Sequence, residues 1–336
     1  MKRKGFTLIE LLAVIVILAI IALIAVPVIM NIISSARKSS FEDTAYGLIN
    51  AGEMYYASAL LNDGITGTKT FTFTEDGSIP EGLNVKGDMP KSGVLEVNKD
   101  GKTALAITNG DLCIIKGYND TKPQVLEEFE ACELPAKTLK DLARTNTFAA
   151  SVDACATGGV CEPGTEFAIE VAPGDIKNFY VIKDDAETGI LTLIMDGNIG
   201  ETVAWSLSDN TTGPIAALNY LESKTSGWIN IEAKNYTLTD DGGANRYTIT
   251  RTNTRARLLT ITETNVLIGA NSWMYCNLRD GSEEVSEPPY GYWLSSARED
   301  DTGGAWIVHG DGDVRSDVDV NDNNYYGVRP VIEILK

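Results

Sequence analysis

Histidine is almost absent from this sequence: His309 is the single one in 336 residues. That shortage rules out a zinc centre, because Cys155 and Cys161 at a five-residue spacing, joined by one imidazole, cannot supply four ligands. It also argues against histidine-based catalysis, and a lone histidine beside a turn reads as a surface residue. No Gly-x-Ser-x-Gly elbow is present, and Cys276 has no neighbouring histidine or second cysteine that would mark an activated thiol. Basic residues are scarce too. With 28 Lys and Arg against 47 Asp and Glu, the formal charge is −19, which excludes nucleic acid as a partner of the soluble part and reads as the solubility of an extracellular surface. The chain is expected to be non-enzymatic and to need no cofactor.

Apolar residues, by contrast, are not lacking. At 43% of the chain they suffice for packed cores, and the length suggests two globular units in addition to an N-terminal helix. The five cysteines form an odd set. If the body is exported, the bridges closest in sequence are Cys113 with Cys132 and Cys155 with Cys161, and Cys276 is left over.

The N-terminus carries the strongest pattern. Lys2, Arg3 and Lys4 precede a run from Leu11 to Met30 that contains no polar side chain. Twenty such residues span a bilayer as a helix. The run is too long for a cleaved secretory signal and continues into a polar helical pattern. Basic residues in front of it predict a cytoplasmic N-terminus and an exported C-terminal body. Glu10 is the one acid at the start of the apolar helix. A charge inside a membrane helix costs on the order of 2.5–3.5 kcal/mol on insertion scales, which suggests a functional partner, whereas nearness to the interface lets it snorkel.

The segment Gly5-Phe6-Thr7-Leu8-Ile9-Glu10 followed by an apolar run resembles the processing motif of type IV prepilins and pseudopilins. The resemblance implies cleavage after Gly5 by a membrane prepilin peptidase and N-methylation of the new Phe6 amine. It also implies a Glu10 carboxylate that meets the Phe6 amine of a neighbouring subunit, a pairing that supplies the opposite charge a buried carboxylate needs. The implied partners are other pilin subunits in a helical filament and a membrane assembly platform. A plain membrane anchor is the alternative.

Beyond the membrane stretch, Phe41, Ala45, Leu48, Gly52, Tyr55 and Ala59 recur at helical spacing, as the stripe of an amphipathic helix that packs on a sheet. A helix from Thr7 to Leu61 would be about 80 Å long. Pro27 removes one backbone hydrogen bond and predicts a kink or local melting. Strands follow at 71–74, 93–97, 104–107 and 112–115, and the Asp100-Gly101 turn joins two of them as a hairpin. The expected fold class is α+β: a long hydrophobic helix on an antiparallel sheet, then a second strand-rich domain. The boundaries are a leader at 1–5, a transmembrane or filament-core helix at 6–33, a pilin globular domain at 34–134, a connector at 135–174 and a C-terminal domain at 175–336.

In that last domain, 179–182 and 190–195 read as a hairpin, 215–221 as a short helix, 236–250 as a strand pair and 293–335 as strand-rich. Gly227-Trp228, Ala256-Arg257-Leu258, Gly291 to Ser296, Asp311 to Val314 and Gly327 to Val331 resemble bacterial extracellular domains related to C-type-lectin-like and formylglycine-generating-enzyme-like folds. The resemblance implies that first and last strands pair. The paired cysteines of the formylglycine-generating enzymes are absent. Asp311, Asp313, Asp317 and Asp319, with Asn321, are oxygen-rich enough to suggest calcium, against the plainer reading of a solvated acidic edge. Trp293, Trp306, Tyr325 and Tyr326 would stack on sugar rings if exposed, against the plainer reading of core aromatics.

The expected function is therefore a structural subunit of a type IV pilus, a minor or tip pilin whose C-terminal domain meets a glycan or host-surface ligand. Alternatives are a major pilin decorated by an accessory domain, a pseudopilin of a secretion or DNA-uptake system, and a surface-anchored enzyme. The expected location is the cytoplasmic membrane before assembly and the extracellular pilus afterwards.

Overall fold

A single helix, α1 (Leu8–Leu60), occupies the first 53 described residues. The computed structural model describes residues 8–61, 68–85, 87–269, 271–275, 278 and 287–336, so Gly5, Phe6 and Cys276 lie outside the described residues. The chain divides into two compact units, Met1–Pro135 and Ala136–Lys336.

In the first unit α1 changes character along its length. Its N-terminal part is rich in Val and Ile, which are indifferent helix formers in water. A helix is nevertheless what an apolar run adopts where no water can satisfy its backbone. α1 continues through Pro27, although that ring leaves the Leu23 carbonyl without its helical donor. From Phe41 onward one stripe is buried: Phe41, Ala45, Leu48, Ile49 and Gly52. It packs on five antiparallel strands laid in sequence order, β1 (Lys69–Phe73), β2 (Ser92–Val97), β3 (Thr103–Thr108), β4 (Cys113–Lys116) and β5 (Gln124–Leu126). Strand alternation puts Phe71, Phe73, Leu95, Val97, Leu105, Ile107 and Ile114 into one core with the helix stripe. Helix and sheet approach so closely at Gly52 that a Cβ there would stand 3.1 Å from methyl groups of both Val97 and Thr103. The β2–β3 turn closes through Asn98, whose side chain accepts from the amides of Asp100 and Lys102, while Gly101 takes the positive φ of 79°.

The second unit begins earlier than 175. The span expected as a connector holds α2 (Leu139–Leu142), β6 (Ala143–Arg144) and β7 (Glu166–Ala172), and β7 runs beside β8 (Asp175–Asp185). The reason is visible in its residues, since Phe167, Ala168, Ile169 and Val171 are all fully buried and demand cover on both faces. β8 and β9 (Ile190–Met195) form the expected hairpin, its turn fixed by Asp185, which accepts from the amides of Glu187 and Thr188. After α3 (Ile215–Thr225) come a two-stranded ribbon, β10 (Lys234–Thr239) and β11 (Thr248–Thr254), and the short α4 (Ile261–Leu267), capped by Thr260 and Glu263. A three-stranded meander follows, β12 (Gly291–Ala297), β13 (Gly304–His309) and β14 (Val314–Asp319), and then β15 (Val331–Leu335).

The central sheet of this unit has the order β15-β9-β8-β7-β6. The last strand therefore pairs with β9 rather than with the first strand, which corrects the pairing that a lectin-like fold implies. β9 lies inside the sheet between β8 and β15 and is apolar on both faces, with Leu191, Leu193 and Ile194 fully buried. The fold is α+β: a long apolar helix followed by antiparallel sheets.

Candidate functional site

The exposed half of α1 is the most unusual surface of the molecule. Its most apolar stretch has a mean hydropathy of 3.4 and none of it is buried. In water that would be untenable, because each buried methylene is worth about 0.8 kcal/mol and here dozens remain uncovered. Leu11, Leu12, Ile15, Leu18, Ile21, Leu23 and Ile24 are all more than half exposed and point to every side of the helix. A helix apolar all round is covered by lipid or by other helices, not by one face of its own head. Glu10 stands in the first described turn of α1.

The cysteines are bridged as Cys113–Cys132 and Cys155–Cys161, with Cα atoms 5.6 and 5.1 Å apart. The first ties the chain beyond β5 back to β4. The second closes a short loop before β7, where the Cys161 amide donates to Asp184 and Lys336 pairs with the same carboxylate. Burial pushes the Asp184 carboxyl up, but that amide and that ammonium outweigh it and hold the group below the usual carboxylate range.

The acidic stretch does not gather into a cation site. Among the described residues no three His, Cys, Asp or Glu side chains converge as metal ligands. Asp311 and Asp313 turn instead to Arg315, whose guanidinium reaches both, and Asp311 also meets His309 Nδ1 at 2.9 Å. Burial raises the Asp311 carboxyl, yet the Asp313 amide, His309 and Arg315 together leave it lowered. Asp317 and Asp319 project into solvent from β14. The guanidinium of Arg315 thus supplies the counter-charge of Asp311 and Asp313.

The four aromatic candidates separate. Trp293 is fully buried and donates its indole N–H to the Val203 carbonyl at 2.7 Å, so it belongs to the core. Trp306 and Tyr326 are half-buried, and burial pushes the Tyr326 phenol up. Tyr325 alone is exposed, at 49%, and its ring lies nearly parallel to that of Tyr290 with centroids 6.1 Å apart.

Sequence reasoning passed over Arg329 and Arg37. The sequence shows Arg329 only as part of a closing strand, yet it is 1% exposed and donates to the carbonyls of Met195, Met274 and Trp273. Arg37 follows the apolar run by seven residues, a juxtamembrane position that the sequence does display.

Comparison with known families adds one match. Residues 1–26 fit the family described as Prokaryotic N-terminal methylation motif. No curated protein and no solved structure matches the chain, so the lectin-like resemblance of the C-terminal half has no support from known folds. The methylation motif supports a type IV pilin-like or pseudopilin subunit, and it points to a structural protein. For such chains in general it implies processing by prepilin peptidase and assembly with other pilin subunits. The apolar helix suits membrane anchoring followed by a place in a surface filament.

Proposed function

We propose that this chain is a minor or tip subunit of a type IV pilus that presents its second unit as an adhesive domain. The observation that carries this reading is the division of labour within α1: an uncovered apolar half headed by the methylation motif, and a second half packed on its own sheet. Prepilin peptidase cuts after Gly5, Phe6 becomes the methylated N-terminus, and the Glu10 carboxylate meets the Phe6 amine of the adjoining subunit. Before assembly the basic leader stays in the cytoplasm and both units stand outside. Two disulfides favour that side of the membrane, since such bridges persist in oxidising compartments.

The chain length supports a minor or tip position, because a second unit of this size on every subunit would crowd the shaft. Immunogold labelling of sheared filaments with antibody against residues 175–336 tests this directly. Gold at filament ends is expected. Gold along the whole shaft would make the chain a major pilin, and mass spectrometry of surface material that still begins at Met1 would reduce it to a simple anchor.

A further inference from the structure

Where the uncovered part of α1 meets the head, the first unit holds a groove of about 560 Å³. Met30 and Ile33 form its helix wall, and Met89 and Leu112 face them from the head. Met30 is the last residue of the twenty-residue apolar run. The groove therefore opens where hydrocarbon ends, if that run fills the roughly 30 Å core of a bilayer. Arg37 lies two turns further along the same helix face, about 10 Å above Met30 at 1.5 Å per residue. The headgroup layer adds about 5–8 Å to each side of the hydrocarbon core, so the Arg37 backbone stands a few ångströms beyond it, within the reach of a long side chain that snorkels back to its outer boundary.

The charges in the groove are arranged as a pair of opposite poles. Arg37 is exposed and makes no ion pair among the described residues, whereas the adjacent Lys38 is held by Glu127 at 3.0 Å. Across the groove from the helix, the head contributes Asp88, Asp111 and Glu127. A guanidinium on one side and carboxylates on the other match a zwitterion, with phosphate at Arg37 and ammonium towards the head. An anionic headgroup with no ammonium would set its charge beside the carboxylates of Asp88 and Asp111, Glu127 being already paired with Lys38. A free phosphate would leave Met30, Ile33, Met89 and Leu112 without a partner.

We propose that this groove binds the headgroup of a zwitterionic aminophospholipid, of the phosphoethanolamine type, from the outer leaflet of the membrane that anchors α1. The lipid's glycerol and first methylenes run down past Ile33 and Met30 into the bilayer. The proposal rests on the membrane-anchored reading of α1 and not on filament assembly. A bound lipid fixes the height of the head above the membrane and must be shed when the subunit leaves it.

The test uses the full chain in vesicles of phosphatidylethanolamine and phosphatidylglycerol in equal parts, extracted into mild detergent, with retained lipid counted by native mass spectrometry. Preferential retention of one phosphatidylethanolamine is expected. Arg37→Glu is expected to reduce that retention about tenfold, the factor that ~1.4 kcal/mol represents, while Arg37→Lys keeps most of it. Asp88→Asn combined with Asp111→Asn is expected to abolish the preference over phosphatidylglycerol. Equal retention of the two lipids, or an unchanged Arg37→Glu variant, overturns the proposal. So does displacement of the lipid by soluble glycerophosphoethanolamine alone, which would make the free headgroup the ligand. A chain that alkaline carbonate strips from the vesicles overturns the anchoring reading as well, whereas a firmly embedded chain that retains no lipid overturns this inference only.

Discussion

The guanidinium of Arg329 lies over the ring of Tyr292, with Cζ 5.3 Å from the ring centroid, inside the core of the second unit. Its three nitrogens donate to the carbonyls of Met195, Met274 and Trp273, and no carboxylate pairs with it among the described residues. A buried cation without a counter-ion survives only because each of its three nitrogens donates to a carbonyl and a π face lies beneath it. Three separate stretches of chain are tied together at this one side chain. Arg329→Met strips donors from buried carbonyls and is expected to destabilise the second unit by about 3–5 kcal/mol. All five tryptophans, Trp205, Trp228, Trp273, Trp293 and Trp306, belong to this unit, so their fluorescence in a denaturant titration reports on it alone. A midpoint unchanged from the parent chain would contradict the role given to Arg329.

Gly52 sets how closely α1 approaches its sheet. A Cβ there already crowds Leu95, Val97 and Thr103 at 3.1–3.2 Å, and a branched side chain has nowhere to go. Gly52→Leu is expected to cost about 1–3 kcal/mol and to loosen the helix from β2 and β3. Limited proteolysis between β1 and β3 should speed up accordingly, while tryptophan fluorescence stays as it was.

The Cys113–Cys132 bridge closes a loop across a sequence separation of 19 residues. Replacing both cysteines by serine is expected to remove roughly 2–4 kcal/mol from the first unit, chiefly by freeing the unfolded chain. The same pair of substitutions should leave the second unit's unfolding midpoint unchanged, since its own bridge, Cys155–Cys161, remains.

Alkali should unfold the second unit cooperatively. Burial pushes the phenols of Tyr236, Tyr247 and Tyr292 well above their ordinary value near 10. In the unfolded chain these groups ionise from about pH 10 upward, whereas in the folded unit they stay neutral. Their contribution is thus fully present below pH 10 and is lost as pH rises beyond it towards their folded values. Tyrosinate absorbance of these three residues should appear together with the loss of native tryptophan fluorescence, and independent ionisation at pH 10 would contradict their burial.

Much of the first unit was legible in the sequence because its signals are local. The stripe Phe41, Ala45, Leu48 and Gly52 has helical period, and the Asp100-Gly101 turn announces its hairpin. The second unit was legible only in pieces. The hairpin of β8 and β9 and the helix α3 follow from short-range pattern, but β15 beside β9 joins residues more than a hundred positions apart, and no periodicity encodes that. β7 was missed because Phe167 to Val171 is short and lies between a disulfide loop and a turn, which made its surroundings resemble linker. The acidic run was legible as a charged edge but not in its ion pairs. Spacing sets Asp311 and Asp313 across a turn from Asp317 and Asp319, yet it does not reveal that Arg315 reaches back to the first two.

The uncovered half of α1 would also govern how a pilus subunit of this kind leaves the membrane. Lipid tails and neighbouring apolar helices are equally dry, so passing from one to the other releases little water and gains little hydrophobic free energy. In the proposed pilus reading, transfer of this helix from bilayer to filament is then close to a partition between two oils. A small bias suffices to set its direction, and the pairing proposed for the Glu10 carboxylate with a neighbour's amine would be a bias of the right size. The same near-balance would let the helix return to the membrane intact, making the step reversible without any unfolding of the head.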